Sequence, residues 1–167
     1  MDIKQAMQPR GNCYEDSARY LLYGKWKFPW APPPIELSKM VNADKIFLVH
    51  GVATLSRPPH KRYGHAWIEY SLTSTVEIPL LSGDAIEDLD GVKLEFTKQE
   101  VSMDYCLDLN TGKNFFKAMY YHAGKIHVDE CMYYNRDQAL QYLIAYNHFG
   151  PWEGPFGCPP HRSITSV

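Results

Sequence analysis

From Gly24 the chain reads GKWKFPWAPPP, and its prolines at 29, 32, 33 and 34 keep any helix from crossing this stretch. A helix before it must end by Gly24, and whatever follows must start afresh. On the near side, Asn12 can cap, Glu15 stands three residues on as in a capping box, and Tyr14, Ala18, Leu21 and Leu22 make an apolar stripe. The pattern predicts a helix with Cys13 at its first position. The proline stretch itself is predicted to run extended over the surface, with Trp26, Phe28 or Trp30 tucked against the body.

On the far side a short helical turn in IELSKM is followed by strand patterns. KIFLVHGVATL reads as a buried strand from its β-branched and aromatic content, with Gly51 at a possible bulge. The turn-rich, locally basic SRPPHKRYG then leads into HAWIEY, where His65, Trp67 and Glu69 face one way and Ala66, Ile68 and Tyr70 the other. Further strands are predicted in STVEIPL, VKLEFTKQ and VSMDYCLDL, with the acidic loop from Gly83 to Gly91 between the first two. FFKAMYYHAG predicts a short helix ending at Gly124, IHVDECMYY another strand, and NRDQALQYLIAYNHFG a helix capped by an Asn135–Gln138 box. The predicted class is α+β, with the Cys13 helix packed on a mostly antiparallel sheet.

A chain of 167 residues, 45% apolar and 22% charged, is long enough for one domain that buries roughly two thirds of its unfolded surface. The expected unit is therefore 1–167, with 150–167 as a surface tail in which Trp152 lies over the core. A net charge of −2 provides no field to gather nucleic acid or anionic membrane. Cysteines at 13, 106, 131 and 158 are irregularly spaced, so a disulfide framework is not required. The first twenty residues have no apolar run of signal type, and no stretch approaches the ~20 apolar residues of a spanning helix. The expectation is a soluble cytoplasmic protein.

A thiol becomes an effective nucleophile where a helix N-terminus and an imidazolium both favour the thiolate. Cys13 has the first of these from its own helix, and His65, at the start of a strand after a glycine-containing loop, is the candidate for the second. A third group must orient the imidazole; Asp108, near a strand end, is the leading acid, with Asp104 and Glu69 behind it. If VSMDYCLDL alternates, Asp104 and Asp108 share a face, so periodicity does not choose between them.

Cysteine on a first helix, histidine at a strand start and an acid on a later strand is the chain order of papain-like and transglutaminase-like cysteine hydrolases. GNCY resembles the opening of their nucleophile helix, and GHAWIEY resembles the His-Ala-Trp strand of the transglutaminase-like branch. YCLDLNTGKN, MYYHAGKI, YYNRDQAL and NHFGPW are similar to segments of small bacterial and phage proteins of that kind. The resemblance spans most of residues 10 to 153. It implies a papain-like fold with Cys13 as nucleophile, His65 as base and Asp108 as orienting acid, acting without a cofactor or metal on a peptide, protein or small amide. Papain-like enzymes also place a glutamine before the cysteine to help bind the oxyanion. Gln8 is the candidate and Gln5 the runner-up, although a solvated polar residue accounts for Gln8 equally well.

Other readings compete. Cys158-Pro-Pro-His161 with Cys131, His127 or His148 has ligand types suited to zinc, but no second close cysteine pair accompanies it. Neither GxGxxG, GxxxxGK[ST] nor HExxH occurs, so the usual nucleotide cradles and zincin chemistry find no support. The loop Arg57–Arg62 reads as a phosphate contact or as a solvated rim, and Tyr120-Tyr121 and Tyr133-Tyr134 as binding rings or as packing. The alternative to an enzyme is a non-catalytic binding or inhibitory protein, of phage type, on the same scaffold.

Overall fold

The structure is a computed structural model that describes residues 12–33, 45–80 and 95–154. The IELSKM turn, the acidic loop 83–91, Gln5, Gln8, Cys158, His161 and the tail beyond residue 154 lie outside the described residues. The chain divides into two compact units, one of residues 1–70 with 104–167 and one of residues 71–103.

The first unit begins with α1, Cys13–Tyr23. Gly24 ends it in a left-handed conformation, φ 66°, with its N–H on the Tyr20 carbonyl. A side chain would be strained there, so the stop expected from the sequence is built as expected. The start is not. Asn12 makes no side-chain cap; its amide donates instead to Glu15 Oε2 at 2.8 Å, while Glu15 Oε1 pairs with Arg19. Glu15 is held by two donors of its own, so the reciprocal capping box does not form.

Strand β1 (Ile46–Thr54) pairs antiparallel with β2 (Arg62–Leu80), and the ladder runs without interruption from Ile46–Tyr70 to Thr54–Arg62. Gly51 therefore sits opposite His65 in regular register, not in a bulge. Close packing explains the glycine: a Cβ there would lie 2.5 Å from the Trp67 ring and 3.0 Å from Cys131 Sγ. β3 (Glu95–Asp108) turns into β4 (Lys113–Phe116), and β5 (Met132–Tyr134) pairs with the other edge of β1. The result is a five-stranded antiparallel sheet in the order β4-β3-β2-β1-β5.

HAWIEY and STVEIPL are one continuous strand, as are EFTKQ and VSMDYCLD. Their outer portions belong to the second unit, where Leu72, Val76, Ile78 and Phe96 are exposed. Phe115 and Phe116, expected to open a helix, close the β3–β4 hairpin instead, and α2 runs Lys117–Gly124. α3, Arg136–Tyr146, starts with both arms of the predicted box: Gln138 N–H on Asn135 Oδ1 at 2.8 Å and Asn135 N–H on Gln138 Oε1 at 3.0 Å. Among the described residues no helix is long and apolar enough to cross a membrane.

Alternation along β2 separates two cores. Ala66, Ile68 and Tyr70 join Leu48, Leu107 and the buried residues of α1 and α3. Trp67 joins Val49, Cys106, Tyr121, Ile126 and Cys131. Trp152 is buried in the first core with its indole N–H on the His148 carbonyl at 2.7 Å, in keeping with its expected place over the core.

Candidate active site

α1 carries Cys13, Ser17 and Leu21 along one i, i+4 row, and all three are buried. Ser17 Oγ donates to the Ala66 carbonyl at 3.2 Å, which holds the helix against β2 one residue from His65. Cys13 and His65 are both almost fully enclosed, at 6% and 3% exposure. His65 extends from the face of β2 that also carries Trp67, whose ring lies 5.7 Å from its own.

Asp108 comes from the end of β3, where the hairpin turn aims it. One carboxylate oxygen, Oδ1, accepts the Asn110 N–H at 2.8 Å, and the Asp108 carbonyl accepts the Gly112 N–H at 2.8 Å. Gly112 has φ 67° and lies beneath Phe28, whose ring would be 2.7 Å from a Cβ at that position. The proline-rich segment thus helps seat the turn that bears the acid. Of the three rings offered as alternatives for tucking in, Trp26 and Phe28 are half-buried, while Trp30 is exposed.

The second oxygen, Oδ2, lies 3.6 Å from His65 Nε2, beyond hydrogen-bond length. The Tyr120 hydroxyl fills the gap: it is 2.9 Å from His65 Nε2 and donates to Asp108 Oδ2 at 3.3 Å. Nδ1, the other ring nitrogen, is buried and has no hydrogen-bond partner of ordinary geometry among the described residues. Cys13 lies within interacting range of the ring.

Charge follows this geometry. Burial opposes protonation of His65, but Asp108 and Cys13 outweigh it and raise its pKa from 6.5 to about 9. Burial likewise opposes ionisation of Asp108, yet His65, the Asn110 amide and the Tyr120 hydroxyl together hold its carboxyl below the ordinary value. Burial and the Asp108 charge push the Tyr120 phenol far upward, so it remains a proton donor. Tyr63, 5.7 Å from the His65 ring, is raised by burial, Asp108 and Cys13.

Helix α2 is secured from below. Glu69, buried two residues beyond Trp67, accepts the Trp67 indole N–H at 2.9 Å and the Tyr121 hydroxyl, and pairs with Lys117 Nζ at 2.5 Å. These ties place Tyr120 over His65, and they occupy Glu69, which rules it out as the orienting acid. Asp104 is exposed and does not enter the His65 contacts. The sequence left Asp104 and Asp108 open; the contacts to His65 belong to Asp108. Tyr120 was read as a binding ring or packing, and nothing in its local pattern pointed to the histidine 55 residues earlier.

The zinc reading gains nothing from its described members. Cys131 Sγ is directed to the His127 carbonyl at 3.3 Å, and no cluster of three ligating side chains occurs among the described residues. The Arg57–Arg62 loop is exposed, with Arg62 paired to Glu130. A cleft of about 710 Å³ borders the first turn of α1, lined by Asn12, Tyr14 and Glu15 and by Leu143, Ile144 and Asn147 to Gly150. Cys13 and His65 are not among its lining residues. Compared with protein-family models, curated proteins and solved structures, the chain matches none.

Proposed function

We propose that this chain is a cysteine-dependent acyl-transfer enzyme of papain-like or transglutaminase-like type, acting on an amide or related carbonyl of a peptide, protein or small molecule. The observation that carries the reading is the assembly of Cys13, His65 and Asp108 from three separate elements, in the chain order of those enzymes. Structural cysteines do not need this arrangement. Cys106 and Cys131 show the contrast, since burial pushes both thiols upward and neither has an imidazolium among the influences on it.

In the proposed reaction the Cys13 proton passes to His65 Nδ1 and the thiolate adds to the carbonyl carbon, moving the carbonyl π electrons onto oxygen. When the tetrahedral intermediate collapses, the carbon–nitrogen bond breaks and the amine leaves with the proton from Nδ1. Water, or a second amine, then attacks the thioester while Nδ1 accepts its proton, and Cys13 is released as thiolate. Asp108 stabilises the imidazolium in the steps where Nδ1 holds the proton. Gln8 is the proposed donor to the oxyanion, together with the Cys13 backbone N–H.

The test needs no knowledge of the substrate. Iodoacetamide at substoichiometric dose, read by peptide mass spectrometry at neutral pH, is expected to modify Cys13 ahead of Cys106, Cys131 and Cys158. Cys13→Ala should abolish the fast phase, and His65→Ala should slow it by on the order of 10²-fold. Equal modification of all four cysteines, with no fast phase, would favour the binding or inhibitory scaffold.

A further inference from the structure

We propose that Tyr120 is a positioning residue, and that the acid of this site acts on its imidazole through the Tyr120 hydroxyl and not by direct contact. This rests on the acyl-transfer reading for its purpose but on bond geometry for its content. The carboxylate is 3.6 Å from Nε2, too far for a hydrogen bond, while Tyr120 Oη is within 2.9 Å of Nε2 and 3.3 Å of Oδ2.

The direction of the chain follows from its two ends. An ionised carboxylate only accepts, so the Tyr120 proton must point to Asp108. The phenolic oxygen is then left to accept, and Nε2 must carry a hydrogen. In the neutral ring the lone pair is consequently on Nδ1, the buried nitrogen without a partner of ordinary geometry among the described residues. One hydroxyl thereby selects the tautomer, leaving the basic lone pair on Nδ1, the nitrogen that Tyr120 does not touch. A direct dyad would reach the same tautomer, but the acid would have to move closer, and its Oδ1 is already committed to the Asn110 amide.

Tyr120 is built to hold this pose. Its ring packs 5.7 Å from Trp67 and 5.4 Å from Phe115, and the next residue, Tyr121, is anchored to Glu69. Phenylalanine would keep those ring contacts and delete only the relay. The groups facing His65 are Cys13 from α1, Tyr63 from its own strand, Asp108 from β3 and Tyr120 from α2.

Nitrogen-15 NMR of the imidazoles in the full chain tests the relay without any assay of catalysis. In the wild-type protein above pH 10, His65 should be the Nε2–H tautomer. In Tyr120→Phe its pKa should fall by about one unit or more, a tenfold loss of proton affinity. Asp108→Asn should also lower it, and the double variant should fall no further than Asp108→Asn alone, since both remove the same chain. An Nδ1–H tautomer in the unsubstituted protein would overturn the proposal, and that measurement does not depend on any variant folding. A Tyr120→Phe variant with wild-type near-ultraviolet circular dichroism and an unchanged or raised His65 pKa would overturn it as well, because Asp108 would then act directly. These readouts stand even if Cys13 shows no selective reactivity. In that case the acyl-transfer reading fails and the relay does not.

Discussion

Two histidines in this protein are buried to a similar degree and shifted in opposite directions, because Asp108 and Cys13 outweigh burial at one and nothing offsets it at the other. His65 is raised to about 9 by Asp108 and Cys13, against the effect of burial. Its folded value exceeds its unfolded one, so the stabilisation it provides is complete below about 6.5 and disappears as pH rises through about 9. The same titration removes a positive charge from beside Cys13. The ratio of Cys13 modification rates with anionic iodoacetate and neutral iodoacetamide should therefore fall as pH rises through about 9. In His65→Ala the ratio should be low at every pH; a ratio that ignores pH in the wild-type protein would separate Cys13 from the imidazolium. His50 is the opposite case. Tyr14, Tyr134 and Trp152 surround it, neither ring nitrogen has a partner among the described residues, and burial, then His148, lowers its pKa to about 3. Its folded value lies below its unfolded one, so its contribution is full above about 6.5 and is lost as pH falls toward 3. Between pH 7 and pH 5 this amounts to roughly 2 kcal/mol. Because His65 gains roughly 1 kcal/mol over the same interval, that loss should appear in urea unfolding as the difference between the pH dependences of the wild-type protein and His50→Phe; equal slopes would assign the acid sensitivity elsewhere.

Among the elements, Gly51 ties β1 to the site most directly. It sits opposite His65 and leaves the space that the Trp67 ring occupies. Gly51→Ala should cost about 1–3 kcal/mol through overpacking, with an upward shift in His65 exposure that faster proton exchange at its ring would report. A variant as stable as the wild type would mean that Trp67 can move without penalty. The same glycine shows where sequence reasoning stops. Its presence in a strand was visible, but bulge and close packing are distinguished only by what lies across the sheet, here a tryptophan from the neighbouring strand. The helix-start cysteine, the alternation of HAWIEY, the Gly24 stop and the Asn135–Gln138 box were all legible because each depends on residues within a few positions of one another. The Asn12–Glu15 box had the same spacing and did not form, since Arg19, one turn further on, draws Glu15 away. Asp108 was favoured by the resemblance and by its place near a strand end, and its carboxylate lies 3.6 Å from His65 Nε2. Tyr120 could not be read, because its partner lies on a strand far back in the chain.

At the scale of the molecule, every described side chain of the site belongs to the first unit, and residues 71–103 contribute none of them. Tyr70 and Tyr105, at the two exits from that unit, stack with ring centroids 5.5 Å apart. Replacing residues 71–103 by a two-residue Asn-Gly turn should therefore leave the fast modification of Cys13 within about threefold of wild type, as type I′ turns join antiparallel neighbours of this kind. Loss of the fast phase in a variant that still shows wild-type near-ultraviolet circular dichroism would assign the excised strands a part in the site.

β1, which carries Gly51 against His65, is also bound on its other edge by β5, so residue 48 pairs with residue 134. A ribosome must deliver most of the chain before that pairing is possible, and Tyr120 is itself made long after Cys13 and His65. Loop closure on this scale is slow compared with helix formation, which places the expected folding time in milliseconds to seconds. On the acyl-transfer reading, the site around Cys13 is therefore incomplete while the chain is being made; any selective reactivity arrives late, with the strand that completes the sheet.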